Sequence, residues 1–213
     1  MDTLRFASTH ALSLTFFPKW LRGLESRIPG GAALRLMVDN MAACERLMLL
    51  GQAQFLLCHH HPSATTALEP DQFCSVHLGD DVLIPVSAPA QDGKSRPRHE
   101  LPGAAEVPVP HLAYSPESGM GRIVAAVRSV EGRPAWLEPA FTSHVAMVLA
   151  MMARDGRGVA WSPKSLILDD LATGRLVRAG PEVWDIPIEI RLFRPRTSQS
   201  PAAEKFWSIV EGM

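Results

Sequence analysis

Residues 4–21, LRFASTHALSLTFFPKWL, open the pattern that decides the fold class. Leu4–Ser8 is a short apolar run typical of a buried strand, and a segment with helical spacing of apolar side chains follows it directly. Two further apolar runs, Leu34–Val38 and Ala53–Cys58, enclose a second helical segment at Met41–Leu50. This β-α-β-α-β order predicts an α/β protein with a parallel sheet covered by helices.

The limits of the first two helices are marked by capping residues. Ser8 or Thr9 is placed to cap the first helix, and Asp39 or Asn40 the second. We expect the first helix to end at residues 29–31, Pro-Gly-Gly. Its apolar face would consist of Leu14, Phe17, Leu21, Leu24 and Ile28.

The alternation of strands and helices returns in the second half of the chain. The predicted strands there are Val82–Ser87, His111–Ser115, Leu137–Thr142, Gly158–Trp161 and Ile186–Phe193. The predicted helices are one capped by Ser118 that runs through Val130 to Gly132, one capped by Ser143 over His144–Asp155, one at Leu166–Leu171, and one opened by Ser200 and Pro201. The chain is therefore expected to form two β-α assemblies, divided near residues 72–82.

Composition excludes several classes of protein. The 213 residues are 46% hydrophobic, with 21 Lys and Arg against 22 Asp and Glu, so no basic face for nucleic acid is expected. Charges interrupt every apolar stretch before the ~20 residues of a membrane span, and no secretory signal pattern is evident. Three cysteines, Cys44, Cys58 and Cys74, form no CxxC and leave an odd count, which favours the reducing cytoplasm.

Three junctions between a strand and a helix are rich in hydroxyl groups. They are residues 8–10 (Ser-Thr-His), residues 115–121 (SPESGMG) and residues 142–144 (Thr-Ser-His). In open parallel sheets, ligands bind beyond the carboxyl ends of the strands, where helix N-termini favour anions or electron-rich atoms. The alternative is that these Ser and Thr residues only cap helices.

The ordered set of motifs resembles the effector-binding domain of LysR-type transcriptional regulators. The segments that carry this resemblance are residues 4–21, Gly158–Leu176 (GVAWSPKSLILDDLATGRL) and Ile186–Phe206 (IPIEIRLFRPRTSQSPAAEKF). Four segments are similar to the hypochlorite-responsive regulators of that family: His10–Pro18 (HALSLTFFP), Tyr114–Arg122 (YSPESGMGR), Gly158–Trp161 (GVAW) and Ala203–Trp207 (AEKFW).

The resemblance implies two Rossmann-like subdomains joined by two crossover strands, the type II periplasmic-binding-protein fold. Subdomain I would comprise residues 1–75 and 191–213, and subdomain II residues 76–190. A small effector would bind in the cleft between them. By position, the effector-binding residues would be Thr9, His10, His60, Ser115, Ser118, Gly119, Met120, Ser143 and His144.

The resemblance also implies partners. Homodimers would form through the outer face of residues 11–27, and tetramers in the full-length protein. DNA would be bound only through an N-terminal winged helix-turn-helix, which nothing in these residues resembles. The family needs no cofactor. The alternative from another class is a stand-alone solute-binding protein of the same fold, which would be a secreted monomer.

Residues 58–61, Cys-His-His-His, carry side chains that bind zinc in other proteins. Adjacent residues of a strand point to opposite faces, so at most two of them could bind one ion, and His10 or Asp81 would have to complete the site. We therefore expect no metal, and the histidines either line a cleft or face solvent.

Redox chemistry and catalysis are the remaining hypotheses. Met120 lies between two glycines at a predicted helix start, and methionine oxidises reversibly to a polar sulfoxide, so Met120 either senses oxidant or packs passively. Cys74 is a second redox candidate, whereas Cys44 and Cys58 lie in apolar segments where thiols are usually inert. Neither G-x-S-x-G nor a phosphate-binding loop is present, so no enzyme is expected.

Overall fold

The computed structural model describes residues 3–24, 27, 33–91 and 96–212. The chain forms two compact units: unit 1 is Met1–Gly79 with Glu189–Met213, and unit 2 is Asp80–Ile188. The helices and strands, in chain order, are β1 (Thr3–Thr9), α1 (His10–Thr15), α2 (Phe17–Leu24), β2 (Ala33–Asp39), α3 (Met41–Leu49), β3 (Phe55–His60), β4 (Phe73–Ser87), β5 (Val109–Tyr114), α4 (Gly119–Glu131), β6 (Leu137–Ser143), α5 (Ala146–Arg154), β7 (Ala160–Pro163), α6 (Leu168–Ala172), β8 (Val177–Arg178), β9 (Ile186–Pro195) and α7 (Pro201–Glu211). The chain passes between the units within β4 and β9.

The sheet of unit 1 has β1 at its centre. β1 pairs in parallel with β2 on one side and with β3 on the other, and β3 pairs antiparallel with β9. The β-α-β-α-β order predicted from the sequence is thus confirmed. Because three strands run in parallel, their carboxyl ends lie at one edge of this sheet.

Alternate side chains of β1 and β3 fill two separate apolar clusters, as the two-residue period of a strand requires. Phe6 and Leu57 pack into the cluster that also contains residues of α1, α2 and α7, and the ring of Phe6 lies 5.3 Å from that of Phe206. Ala7 and Cys58 face the opposite cluster, together with residues of α3.

The first helix differs from the prediction. It breaks at Phe16 into α1 and α2, because Pro18 has no N–H to donate to the carbonyl of Leu14. The helical register therefore changes, and Leu14, which was expected on the buried face, is 64% exposed. Thr9 occupies the N-cap position of α1 but makes no side-chain cap hydrogen bond. The predicted end of this helix at residues 29–31, like Ile28 before it, lies outside the described residues.

Unit 2 is built around two groups of strands. β5 pairs in parallel with β6, and a parallel bridge joins His111 to Val159 just before β7. β4 pairs antiparallel with β7 and β8. The predicted start at Val82 missed the first half of β4, because residues 77–81, His-Leu-Gly-Asp-Asp, are mostly polar.

Of the two serines predicted to cap helices in unit 2, Ser118 does so and Ser143 does not. Ser118 caps α4, where its Oγ accepts a hydrogen bond from Gly121 N at 3.3 Å, as predicted. Ser143 does not cap a helix at His144, because it remains in β6, paired with Tyr114. α5 begins only at Ala146, and Ser143 Oγ accepts from Val145 N at 3.1 Å.

Candidate functional site

The carboxyl edge of the sheet in unit 1 carries Thr9, Asn40 and His60, which end or directly follow β1, β2 and β3. Thr9 Oγ1 is buried and has no hydrogen-bond partner among the residues that the structure describes. Asn40, which the sequence analysis treated only as a cap, accepts from Ala43 N at 2.9 Å at the start of α3. His10 follows Thr9 as the first residue of α1 and is half-buried.

His60 faces a charged pair on β9. Its Nδ1 lies 3.5 Å from Glu189 Oε2, and Arg191 Nε donates to the same carboxylate oxygen. Burial, followed by the charge of Arg191, lowers the pKa of His60. The imidazole is therefore neutral at neutral pH and can act as a hydrogen-bond donor or acceptor. Sequence reasoning missed Glu189, because only the pairing of β3 with β9 brings it to His60.

The corresponding edge of unit 2 brings three of the predicted serines together. Ser115 N donates to Ser143 O at 3.2 Å, and Ser118 N donates to Ser115 O at 3.0 Å. Ser115 Oγ is buried and lies beside the carboxylate of Glu117. The parallel pairing of β5 with β6 is the reason for this convergence, since Tyr114 lies beside Ser143.

His144 and Glu117 lie side by side next to these serines. His144 Nδ1 lies 3.7 Å from Glu117 Oε1. The pKa of the Glu117 carboxyl is lowered, first by its own backbone N–H and then by the nearby Ser115 hydroxyl and His144. Glu117 lies within the quoted SPESGMG segment, so attention to its charge could have identified it from the sequence.

The first turn of α4 lies directly against the end of β5. A Cβ on Gly121 would be 2.8 Å from Tyr114 Cβ and 2.9 Å from Ser115 O, so only glycine fits there without a shift. Gly119 is half-buried, whereas Met120 is 7% exposed and belongs to the packed face of α4. The structure thus places Met120 next to the serine edge with its side chain buried.

The cysteines occupy apolar surroundings. Burial raises the pKa of Cys44 to about 12 and raises the pKa of Cys58 further. Both thiols are therefore protonated at neutral pH, which disfavours their reaction with an oxidant. Cys74 is partly exposed and packs against the aromatic cluster of unit 1.

The histidine run does not assemble a metal centre. His59 is buried, and His61 Nδ1 accepts from Ser63 N at 3.1 Å. Asp81 accepts from Ser165 Oγ at 2.6 Å and from Ser165 N at 3.2 Å, both within unit 2. Among the described residues, no group of three or more His, Cys, Asp or Glu side chains could hold a metal ion. No helix in the described ranges is long and apolar enough to cross a membrane.

Comparisons with known proteins agree with this fold. A family model described as the LysR substrate binding domain matches residues 1–213. The HTH-type transcriptional regulator YjiE of Escherichia coli K12 is 26% identical over 204 residues, which are 96% of this chain. The chain spans 63% of the length of YjiE, less than two thirds.

Solved structures of LysR-type regulators are also similar. The apo regulatory domain of HypT from Salmonella typhimurium is 26% identical, with a TM-score of 0.77 and coverage of 100% of this chain and 95% of that one. Full-length HypT, described as a hypochlorite-specific LysR-type transcriptional regulator, is 26% identical with a TM-score of 0.78, and the match covers 100% of this chain and 68% of HypT. These comparisons do not support the solute-binding alternative. The chain therefore belongs to the LysR substrate-binding domain family, has its type II periplasmic-binding-like fold, and is an effector-binding regulatory domain.

Proposed function

We propose that this domain binds a small anionic or polarised effector through the carboxyl edges of its parallel strands, and thereby controls DNA binding by the protein that carries it. The observation that supports this most directly is the buried hydroxyl of Thr9, whose Oγ1 has no hydrogen-bond partner among the described residues at the edge of unit 1. Buried polar groups normally have hydrogen-bond partners, so an unpartnered one at a strand edge suits a ligand. The effector would shift the population of the domain toward the state it prefers.

In unit 2, the effector group would consist of Ser115, Ser118, Gly119, Ser143 and His144. In the first turn of α4, the N–H of Gly121 donates to Ser118 Oγ. The N–H groups of Gly119 and Met120 have no acceptor within the helix and are available to a ligand. The partial positive charge of that helix end favours a carboxylate or another electron-rich group. Met120 would contribute its backbone N–H, since its side chain is buried.

In unit 1, the effector group would consist of Thr9, His10 and His60. The Thr9 hydroxyl lies at the end of β1, and the neutral imidazole of His60 lies at the end of β3. Both can donate a hydrogen bond to an oxygen of the effector. Arg191, which holds Glu189 beside His60, adds positive charge at this edge.

A second candidate function is oxidant sensing by Met120. The similarity to HypT favours it, together with the position of Met120 between two glycines at the start of α4. Oxidation to the sulfoxide would place a polar oxygen in a packed apolar site and so disturb the first turn of α4. Cys74, which is partly exposed, is the corresponding thiol candidate.

Partners follow from the family. DNA would be bound by a winged helix-turn-helix of the full-length regulator, and two copies of this domain would pair through the outer face of α1 and α2. Leu14 supports this surface, because a large apolar side chain there is 64% exposed. The free thiols Cys44, Cys58 and Cys74 suit the reducing cytoplasm.

The test is a thermal-shift and calorimetric screen with small carboxylates, aromatic acids, sulfonates and N-chlorinated amines. A ligand at a hundredfold excess over its Kd stabilises the native state by about 2.7 kcal/mol, which is readily measured. Ser115→Ala and Thr9→Ala should each weaken binding of the same compound. Ser208→Ala, which removes an exposed hydroxyl of α7, is the matched control. Wild-type affinity in both strand-edge variants would refute the proposed site.

A further inference from the structure

Unit 2 contains a partly enclosed cavity of about 130 Å³ between α4 and the sheet. Gly121, Val124, Ala125 and Arg128 line one wall, at the spacing of residues that share one face of a helix. His111 and Ala113 on β5 and Trp161 on β7 line the opposite wall. The strand-edge groups named above do not include any of these residues.

Two small residues leave the space between these walls open. Ala113 lies on β5, and Ala125 lies on the facing side of α4. Two hydrogen bonds hold the larger walls in place: Tyr114 Oη donates to Trp161 O at 2.8 Å, and Trp161 Nε1 donates to Trp184 O at 3.0 Å. Because the Tyr114 hydroxyl and the Trp161 indole N–H already donate to backbone carbonyls, we do not expect either group to donate to a ligand in the cavity.

Arg128 is the unusual side chain of this cavity. Within the part of the chain that the structure describes, its buried Nε has no hydrogen-bond partner, and no carboxylate lies within ion-pair distance of its guanidinium. The guanidinium carbon lies 5.8 Å from the centre of the Trp161 ring. A cation that is partly withdrawn from water without a counter-ion is costly, so this geometry favours an anion in the adjoining space.

His111 lies at the other end of the same tryptophan. Its ring packs edge-on against Trp161, with 5.6 Å between the ring centroids. Burial, followed by the charge of Arg128, lowers the pKa of His111 to about 4, so the imidazole is neutral at neutral pH. A neutral imidazole adds a hydrogen-bond donor beside the guanidinium without adding a second buried charge.

We propose that this cavity is a second ligand site, which binds a small monocarboxylate. The carboxylate would pair with Arg128 and accept a hydrogen bond from His111, while the apolar body of the acid lies against Trp161, Val124 and Ala125. A volume of about 130 Å³ corresponds to roughly four water molecules, which limits the ligand to a short-chain or single-ring acid. This inference goes beyond the proposed effector function, because it concerns separate residues within unit 2.

The test is calorimetric titration of the purified chain with propionate and with benzoate, and with benzamide as the neutral analogue. At least one of the two acids should bind, and benzamide should bind much more weakly. Arg128→Met should weaken binding of that acid by about 10- to 100-fold, because a charge-assisted hydrogen-bonded pair is lost. Arg128→Lys, which keeps the charge but not the planar fork, should give an intermediate affinity.

Two further variants separate this site from the strand edge and guard against misfolding. Ala125→Leu fills the mouth of the cavity and keeps Arg128, and leucine is nearly as good a helix former as alanine, so this variant should abolish binding with little change in melting temperature. Ser143→Ala should leave binding of the acid unchanged. Binding that survives both Arg128→Met and Ala125→Leu, or that is lost in Ser143→Ala, would overturn the proposal, as would failure of both acids to bind at millimolar concentration. If the strand-edge proposal fails, Ser143→Ala does not change the affinity for any effector, whereas Arg128→Met still weakens binding of the acid in the cavity.

Discussion

Gly121→Ala should destabilise the domain and weaken effector binding, although alanine is the better helix former. The added Cβ would lie 2.8 Å from Tyr114 Cβ and 2.9 Å from Ser115 O, so α4 or the end of β5 must move. Overpacking of this kind costs about 1–3 kcal/mol, and helix propensity returns at most about 1 kcal/mol at this terminal position. We therefore expect a net loss of about 1–2 kcal/mol in the free energy of unfolding.

The matched control is Gly23→Ala in α2. No atom lies within 4 Å of a Cβ at Gly23, and its backbone is helical, so only the propensity gain remains. Gly23→Ala should therefore stabilise the chain by up to about 1 kcal/mol. Urea denaturation of the wild type and the two variants measures the loss of unfolding free energy in Gly121→Ala and the gain in Gly23→Ala. In thermal denaturation, each kcal/mol corresponds to about 2–4 °C in Tm for a chain of this size.

The same pair of variants tests the site. A displaced first turn in Gly121→Ala moves the backbone N–H groups and Ser115 that the effector is proposed to contact, so its affinity should fall, whereas Gly23→Ala should bind normally. If Gly121→Ala proved as stable as Gly23→Ala and bound effector with wild-type affinity, the argument that glycine is required for the close approach of α4 to β5 would be wrong.

Three further outcomes are expected. Hydrogen bonds from Arg194 lower the pKa of Glu204 to about 2, so the stabilisation from this pair is present above about pH 4.5 and is lost as the pH falls towards 2. Urea midpoints should consequently fall less steeply over that range in Glu204→Gln than in the wild type, and equal slopes would contradict this assignment. Leu14→Lys should shift a homodimer towards monomer in light scattering with an unchanged circular dichroism spectrum, and an undiminished dimer would remove α1 from the interface. Met120→Ile should keep the fold and abolish an oxidant response in a reporter assay if Met120 is the sensor, and a retained response would eliminate that role.

The residues of the proposed strand-edge site follow from local signals in the sequence, whereas their partners on neighbouring strands do not. Serine after an apolar run marks the end of β5, and Ser118 was correctly expected to cap α4. Ser143 was expected to act in the same way, but its pairing with Tyr114 keeps it in β6. The hydroxyl pattern could not reveal that difference, because it depends on a neighbouring strand.

The sequence by itself determined the order of strands and helices, the caps at Ser118 and Ser200, and the family. These features depend on side chains within a few residues of one another, or on the order of motifs along the chain. Tertiary structure decided that Gly121 lies against Ser115, that His60 faces Glu189, and that Arg128 lies over Trp161. Such contacts join residues that only strand pairing and helix packing bring together, so no local pattern in the sequence encodes them.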